Sequence, residues 1–492
     1  MATGLLIANT SLDPRISWNT KIKTIIPEWG LMDPVATDEA TITDLMSHRS
    51  GLPRHDFMAA LTDDVLDVIG RLRFLRPSTE FRETLQYNNN MYDVLSYIPT
   101  AVLPSKPNFT RYVKANIFEP LGLNSTTYSF DVANATGNLA DGFFRQQTNS
   151  SASPFDVGIP RTIPFYAQVG GEDGNFDSGA GGVISNAVDM ASWLQALLSG
   201  GQNPVTKEVI LPPDAINVVS SGITVFESSP QHPFLSASVY GAGQVQSSYR
   251  GHVVVEHGGS VPGFNSYISR FPFDGVGISV LSNENELGSA ISLAIKYRLS
   301  DQALGLTPID SKTIVGNDLL ALFSALPPPM PRPENATLPP NGVETLAGLY
   351  EDPAYGRMEL CLASANSSAF TSSDSCRALL SNITTVLPGV VDPTIPTLLV
   401  KWDRPFGAYI RLTHLNESTF SVSLFDSYPT GNSSSPFWAS PVVVSGPLAE
   451  FGQDNGTLGF GLIGGAWGAA AGVPEPTGDT VRERSEVWFT KV

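Results

Sequence analysis

Two short motifs hold the side chains in this sequence that are best suited to acid–base chemistry. Tyr87 and Asn89 form a Tyr-x-Asn arrangement, and His257 is followed directly by Gly258 and Gly259. A tyrosine has a pKa near ~10, so it can move protons at neutral pH only beside a positive charge. Glycines after a histidine let the backbone of a substrate approach closely. We take the first three residues as candidate catalytic groups and the two glycines as candidate substrate-binding positions.

Each motif also has a plain structural interpretation. Tyr-x-Asn occurs by chance as a loop tyrosine beside turn-forming asparagines, and a histidine can simply cap the end of a strand. The surroundings favour function. Residues 81–85 and 91–97 predict a loop that enters a helix at the first motif. Residues 253–256 predict a strand that would line a cleft and end at the second motif.

The elements around these motifs predict an α+β domain. Hydrophobic periodicity and capping residues indicate helices in three early segments and one late segment, and β-rich runs separated by a Phe-Asp-Gly turn indicate an antiparallel sheet. The predicted helices are 42–46, 63–75, 186–198 and 286–299, and the predicted strands are 253–255, 265–271 and 276–281.

The remainder of the chain predicts a second domain of a different class. Residues 306–341 contain a proline-rich run, 327–333, that continues neither a helix nor a central strand, and we interpret them as a linker. Short alternating runs at 398–401, 408–413, 419–425 and 487–489 predict strands. The predicted organisation is therefore a first domain at 1–305, a linker at 306–341, and a small all-β barrel-like domain at 342–492.

Residues 47–53 (Ser-His-Arg-Ser-Gly-Leu-Pro) and 179–185 (Gly-Ala-Gly-Gly-Val-Ile-Ser), in order with the two motifs, resemble the penicillin-binding serine hydrolases, specifically the class C β-lactamase-like branch. The resemblance covers about residues 1–305. It implies a β-lactamase/transpeptidase-like fold and acyl transfer through a serine ester. Residues 346–352 resemble the start of the lipocalin-like domain that follows the hydrolase in some relatives.

The resemblance also implies roles for the candidate residues. Tyr87 would face the nucleophile and assist proton transfer, and Asn89 would hold the carbonyl on the acyl side of the substrate. His257 stands where the family has Lys-Thr-Gly or His-x-Gly, and a histidine there makes an acidic β-lactam a less suitable substrate than a lysine would. We expect an esterase or amidase that acts on a small acyl compound, such as a secondary metabolite.

The Ser-x-x-Lys motif that supplies the nucleophile in this family is absent, because no lysine of the chain follows a serine by three positions. Residues 17–21 and 26–29 match the segment that follows that motif in the family. We therefore expect the motif to precede Met1, so that the sequence is truncated at its N-terminus. The alternative is a catalytically inactive binding protein that has kept the cleft.

Composition excludes some partners. The formal net charge is −18 and the sequence pI is about 4.7, which disfavours nucleic acid and anionic membrane surfaces. Residues 458–473 are apolar but too short to span a bilayer, so we expect no transmembrane helix. The oligomeric state is left open by the sequence. We expect no cofactor, because the histidines at 48, 55, 252 and 257 lack metal-ligand spacing.

The chain has features of a secreted glycoprotein. Asn-x-Ser/Thr sites are frequent, and they occur at Asn9, Asn108, Asn124, Asn134, Asn149, Asn335, Asn366, Asn382, Asn416, Asn432 and Asn455. The two cysteines, Cys361 and Cys376, are close in sequence, which in a secreted chain predicts one disulfide. The alternative is a pair of unrelated buried thiols.

Overall fold

A computed structural model describes residues 1–148, 153–326, 330–363, 373–387, 389–442 and 446–492. The predicted glycosylation sites Asn149 and Asn366, and residues 327–329 of the predicted linker, lie outside these ranges. The chain divides into two compact units. The first comprises Met1–Leu52, Leu61–Leu72 and Thr79–Ser324, and the second comprises Pro53–Ala60, Arg73–Ser78 and Ala325–Val492.

Most helices of the described residues lie in the first unit. They are α1 (Ala2–Ala8), α2 (Ile22–Ile25), α3 (Pro34–Glu39), α4 (Ile42–Met46), α5 (Val65–Arg71), α6 (Asn89–Ser96), α7 (Ile98–Val102), α8 (Phe109–Val113), α9 (Glu119–Leu121), α10 (Phe130–Ala135), α11 (Ala187–Leu198), α12 (Pro213–Ser220), α13 (Gly288–Ala303) and α14 (Ser311–Ala325). Short 3-10 turns lie at Leu72–Phe74, Gly171–Asp173 and Phe176–Gly179, and a π turn lies at Lys114–Phe118. A further 3-10 turn, in the second unit, lies at Val343–Leu346.

Side-chain caps explain where two of these helices begin. At α4 the Thr41 side chain accepts from the Asp44 backbone N–H while Asp44 accepts from the Thr41 N–H, which forms a complete capping box. At α11 the Asn186 side chain accepts from the backbone N–H groups of residues 188 and 189. The sequence predicted helices at 42–46 and 186–198, and the structure has a helix in each segment.

The first unit also contains a hairpin and an antiparallel six-stranded sheet, whose strands follow one another in chain order. The hairpin is β1 (Gly142–Gln146) and β2 (Ile159–Ile163), and the sheet is β3 (Thr224–Glu227), β4 (Ser238–Tyr240), β5 (Val245–Tyr249), β6 (His252–Val261), β7 (Phe264–Phe271) and β8 (Val276–Ser282). Helices α11 and α13 pack on β7 and β8. Val254, Phe271 and Tyr297 lie in the core between sheet and helix. The α+β prediction is confirmed.

The second unit contains a closed eight-stranded antiparallel barrel, formed because β12 pairs with both β11 and β13. Its strands are β9 (Gly348–Asp352), β10 (Gly356–Ala363), β11 (Thr397–Arg404), β12 (Gly407–Asn416), β13 (Thr419–Pro429), β15 (Leu448–Asp454), β16 (Thr457–Ile463) and β17 (Val487–Lys491), and β14 (Phe437–Val442) pairs with β13 outside the closed ring. The predicted barrel is confirmed, and the unit also contains a helix. The likeness of its first strand to a lipocalin-like domain stays a prediction.

One helix of the second unit was not predicted. Helix α15 (Asp374–Val386) begins at the Ser373 cap and packs its apolar face on β10 and β11. Cys376 on this helix is joined to Cys361 on β10 by a disulfide. The bond therefore ties the helix to the barrel wall.

The structure divides the chain differently from the sequence-based boundaries in two places. Helix α14 occupies part of the segment predicted as a linker, and the helix ends just before the proline run. Pro53–Ala60 and Arg73–Ser78, which the sequence assigned to the first domain, cluster with the barrel. Among the described residues, no helix combines the length and the apolar character that a membrane span requires.

Candidate active site

Tyr87 and His257 come together in the first unit, although 169 positions separate them in the chain. The centroids of their rings lie 6.2 Å apart. Tyr87 directly precedes Asn88, the residue before the start of α6, and Asn89 opens that helix. His257 lies within β6, and Gly258 and Gly259 follow it on the same strand. Both Tyr87 and Asn89 are half-buried.

The second half of β6 offers main-chain groups to a substrate. Strand β5 pairs with β6 only from His252 to Glu256, whereas the pairing with β7 continues to Val261. Among the described strands, residues 257–261 thus have a neighbour on one side only. Gly258 and Gly259 are exposed. An extended substrate could therefore pair with this edge.

His48 positions the loop that carries Tyr87. It is completely buried and adopts the left-handed conformation, with φ of 56°, which is unusual for a residue with a side chain. Its backbone carbonyl accepts from the Gln86 N–H at 2.8 Å, and its Nδ1 accepts from the Asn88 N–H at 3.1 Å. Its ring lies 4.3 Å from that of Tyr87. The structure therefore places this turn, which is part of the family resemblance, against the candidate site.

Tyr240, at the end of β4, joins the two histidines. Its hydroxyl lies 3.2 Å from Nε2 of His48 and 3.2 Å from Nε2 of His257. Tyr92 on α6 completes the group, with its ring 5.3 Å from that of His48 and its hydroxyl donating to the Met46 carbonyl at 2.7 Å. We call these five residues, Tyr87, Tyr92, Tyr240, His48 and His257, the polar aromatic cluster.

Burial sets the protonation of the cluster. It raises the pKa of Tyr240 and of Tyr92 well above the ordinary value, so both remain neutral phenols. Burial also lowers the pKa of His257, against the opposing effects of its hydrogen bond to Gly258 and of the Glu256 charge. His257 is therefore predominantly neutral at pH 7.

Sequence reasoning missed Tyr240 and Tyr92. The one available signal was the run Tyr-Gly-Ala-Gly at 240–243. Gly243 has φ of +97°, and a Cβ there would lie 2.9 Å from the Tyr92 hydroxyl. A glycine is thus required for the backbone to pass this close to the cluster.

A buried ion pair supports the strand that carries His257. Lys296 on α13 contacts both carboxylate oxygens of Glu256, at 2.9 and 3.2 Å, and its side chain is only 3% exposed. Ser269 on β7 donates to the same carboxylate at 2.7 Å. The pair anchors β6 to the helix one residue before His257.

The four histidines considered for a metal site do not form one group. His48 and His257 share Tyr240, His252 contacts Asp274 at 2.9 Å, and His55 belongs to the second unit. Within the described ranges, the one group of His, Cys, Asp and Glu side chains with ligand spacing is Glu359, Cys361 and Cys376. Its two sulfurs are bonded to each other, so they are not available as thiolates.

Comparison with known proteins identifies relatives. The family model described as Beta-lactamase matches residues 1–302. The chain is 29% identical over 378 residues to an unguisins hydrolase of Aspergillus campestris and 30% identical over 392 residues to one of Aspergillus violaceofuscus. These alignments cover 72% and 74% of this chain, and the chain spans 65% of the length of each relative.

Among solved structures, an octameric penicillin-binding protein homologue from Pyrococcus abyssi has a TM-score of 0.48 and 16% identity, with 100% of this chain and 86% of that chain covered.

Proposed function

This chain belongs to the beta-lactamase family. From that premise we propose that it hydrolyses an ester or amide by acyl transfer through a serine. In such a reaction the serine oxygen attacks the substrate carbonyl, the leaving group departs with a proton, and water releases the acyl group. The observation that carries the proposal is the meeting of Tyr87 and His257 beside the open edge of β6.

We propose the following roles for residues of this chain. The free edge of β6 at Gly258 and Gly259 would hold the substrate in an extended conformation, and main-chain N–H groups would polarise its carbonyl. Tyr87 would take part in proton transfer to the leaving group, and Asn89 would bind the acyl-side carbonyl. No residue of this chain is assigned as the nucleophile, because the chain contains no Ser-x-x-Lys.

The substrate class follows from charge and from the relatives. A neutral His257 offers no fixed cation to a substrate carboxylate, so we propose a neutral acyl compound. Two relatives are named as unguisins hydrolases. We therefore propose a secondary metabolite of that kind as the substrate.

A second candidate function is binding without catalysis. It is favoured by the absence of Ser-x-x-Lys from the 492 residues. A protein of this kind would hold the same acyl compounds in the cleft and release them unchanged.

One experiment separates the two functions. The protein is incubated with unguisins, with neutral chromogenic esters and with anilides, and products are followed by mass spectrometry while a fluorophosphonate probe reports any reactive serine. Turnover together with a serine adduct supports the hydrolase. Saturable binding of the same compounds, with neither turnover nor adduct, supports the binding protein and overturns the hydrolase.

We also propose that the protein is secreted and glycosylated. Among the described sites, Asn416 is half-buried and the other sequon asparagines are exposed, so glycans could be attached to the folded surface. The Cys361–Cys376 disulfide fits an oxidising compartment. A mass decrease on enzymatic removal of N-glycans from the natural protein would support this, and an unchanged mass would contradict it.

A further inference from the structure

The hydrogen bonds of the polar aromatic cluster have a direction that main-chain atoms determine at both ends. At one end, the Asn88 backbone N–H donates to Nδ1 of His48 at 3.1 Å. A nitrogen that accepts a hydrogen bond carries no proton, so the proton of His48 is on Nε2. That N–H then donates to the Tyr240 hydroxyl oxygen at 3.2 Å.

The other end of the network fixes His257 in the same way. The Gly258 carbonyl lies 2.5 Å from Nδ1 of His257 and can only accept, so Nδ1 carries a proton. Because burial keeps His257 neutral, its Nε2 has a lone pair and must accept. The Tyr240 hydroxyl, 3.2 Å away, is the donor. Tyr240 thus accepts from one histidine and donates its single hydrogen to the other.

We propose that Tyr240 is a positioning residue that transmits this direction from His48 to His257 and holds His257 in the neutral Nδ1–H form. Its relevance to catalysis rests on the proposed function. The chain of four hydrogen bonds runs from the start of α6, through the turn after α4 and the end of β4, to β6. It therefore links the element that carries Tyr87 with the strand that offers the substrate-binding edge.

This arrangement determines what His257 presents to the cleft. With Nδ1 bonded to its neighbouring carbonyl and Nε2 bonded to Tyr240, the ring faces the substrate without a positive charge. Glu256 on the same strand, Tyr240 on β4 and Tyr87 before α6 are the titratable groups around it. This chain of hydrogen bonds would thus favour substrates with neutral acyl groups over substrates that carry a carboxylate at the candidate site.

The test is the tautomer of His257, measured by nitrogen-15 NMR on histidine-labelled protein. The chain has six histidines, and the His257 signals are assigned as those that disappear in His257→Gln. In the unsubstituted protein we expect His257 protonated on Nδ1 and His48 protonated on Nε2. Observation of His257 with its proton on Nε2 would overturn the proposal, whether or not any variant folds.

Substitution of Tyr240 provides the second arm. In Tyr240→Phe the donor to Nε2 is lost and only the Gly258 carbonyl still favours the Nδ1–H form, so we expect part of the His257 population to shift to the Nε2–H form. The matched control is Tyr249→Phe on β5, which removes a buried hydroxyl that donates to Asp301 outside the cluster, and it should leave the His257 tautomer unchanged. An unchanged tautomer in a folded Tyr240→Phe protein would refute the role of Tyr240. Correct tautomers in a protein that hydrolyses nothing would instead refute only the proposed function.

Discussion

Each unit of this protein buries a group of aromatic rings, and the two groups are held together by different forces. In the barrel, Phe460 packs on Phe489 and Phe451 with ring centroids 4.9 and 5.3 Å apart, and Phe420 extends the group. We call Tyr350, Phe420, Phe451, Phe460 and Phe489 the apolar aromatic cluster. In the polar aromatic cluster of the first unit, hydrogen bonds between heteroatoms instead join His48, Tyr240 and His257.

This difference in the forces that hold the rings together determines what each cluster can do. Apolar rings are stabilised by the area they remove from water, and their energy depends little on the direction of any one bond. Hydrogen-bonded rings fix the location of protons, because each hydroxyl has a single hydrogen to donate. Substitutions in the barrel should therefore change stability alone, and substitutions in the polar aromatic cluster should change chemistry.

The largest expected effect is on the reaction. Tyr87→Phe should lower kcat on a hydrolysed neutral ester by about 10²–10⁴-fold, because it removes a proton-transfer group while keeping the ring. Steady-state kinetics and a thermal melt measure both consequences, and we expect the melting temperature to stay near that of the unsubstituted protein. A kcat within a few-fold of the original value would remove Tyr87 from the mechanism.

The barrel should show the opposite behaviour. Phe460→Ala leaves a cavity in the apolar aromatic cluster, where Phe460 is 1% exposed, and should lower the free energy of unfolding by about 3–5 kcal/mol. The matched control is Phe437→Ala on β14, where the ring is 37% exposed and should matter much less. Denaturant unfolding compares the two. Equal losses of unfolding free energy in the two variants would mean that burial of the Phe460 ring adds nothing to stability.

The buried ion pair of the first unit shows how much a buried charge contributes to stability, for comparison with the apolar packing of the barrel. Lys296→Met leaves Glu256 buried without its cation and should cost about 3–5 kcal/mol of unfolding free energy. Adding Glu256→Gln should recover most of that loss. Lys21→Met breaks an exposed pair with Glu39 and should cost only about 0.2–1 kcal/mol. A Lys296→Met protein as stable as Lys21→Met would contradict this account.

A further expected effect on stability, with an upper bound at the low end of the range given for the buried substitutions, is a pH dependence in the second unit. Burial lowers the pKa of His55 to about 4, from an ordinary value of 6.5. The unfolded chain therefore binds a proton between these values while the folded one does not, so stability falls as pH drops from 6.5 towards 4. The loss should reach about 3 kcal/mol at most. Urea unfolding of this protein and of His55→Gln should diverge across that range, and parallel curves would exclude His55 as the cause.

Sequence reasoning predicted the parts of the site that local patterns encode. Tyr87 and His257 stand in short motifs, and the capping residue Asn186 marks the start of α11 directly. Tyr240 was missed because its importance lies in contacts with His48 and His257, which are distant in sequence. Such side-chain hydrogen bonds leave no periodic signal.

The fold class could likewise be predicted from periodicity, but not every element could. Helix α15 was missed because its last turn contains Ile383, Thr384, Thr385 and Val386, which are β-branched residues that favour strands. The allocation of Pro53–Ala60 to the barrel unit was also unpredictable. It depends on His55, whose Nδ1 lies 2.8 Å from the Tyr355 hydroxyl and whose N–H donates to the Trp467 carbonyl at 2.9 Å.

That allocation has a consequence for how such genes can be recombined. During synthesis, Pro53–Ala60 leaves the ribosome about 300 residues before Tyr355 does. The segment therefore cannot form its contact with Tyr355 until most of the chain has been synthesised. Replacement of residues 325–492 by another domain would remove Tyr355 and Trp467, two hydrogen-bond partners of His55, although no residue near position 55 had changed. The sequences of the first unit and of the barrel are thus inherited most safely as one block.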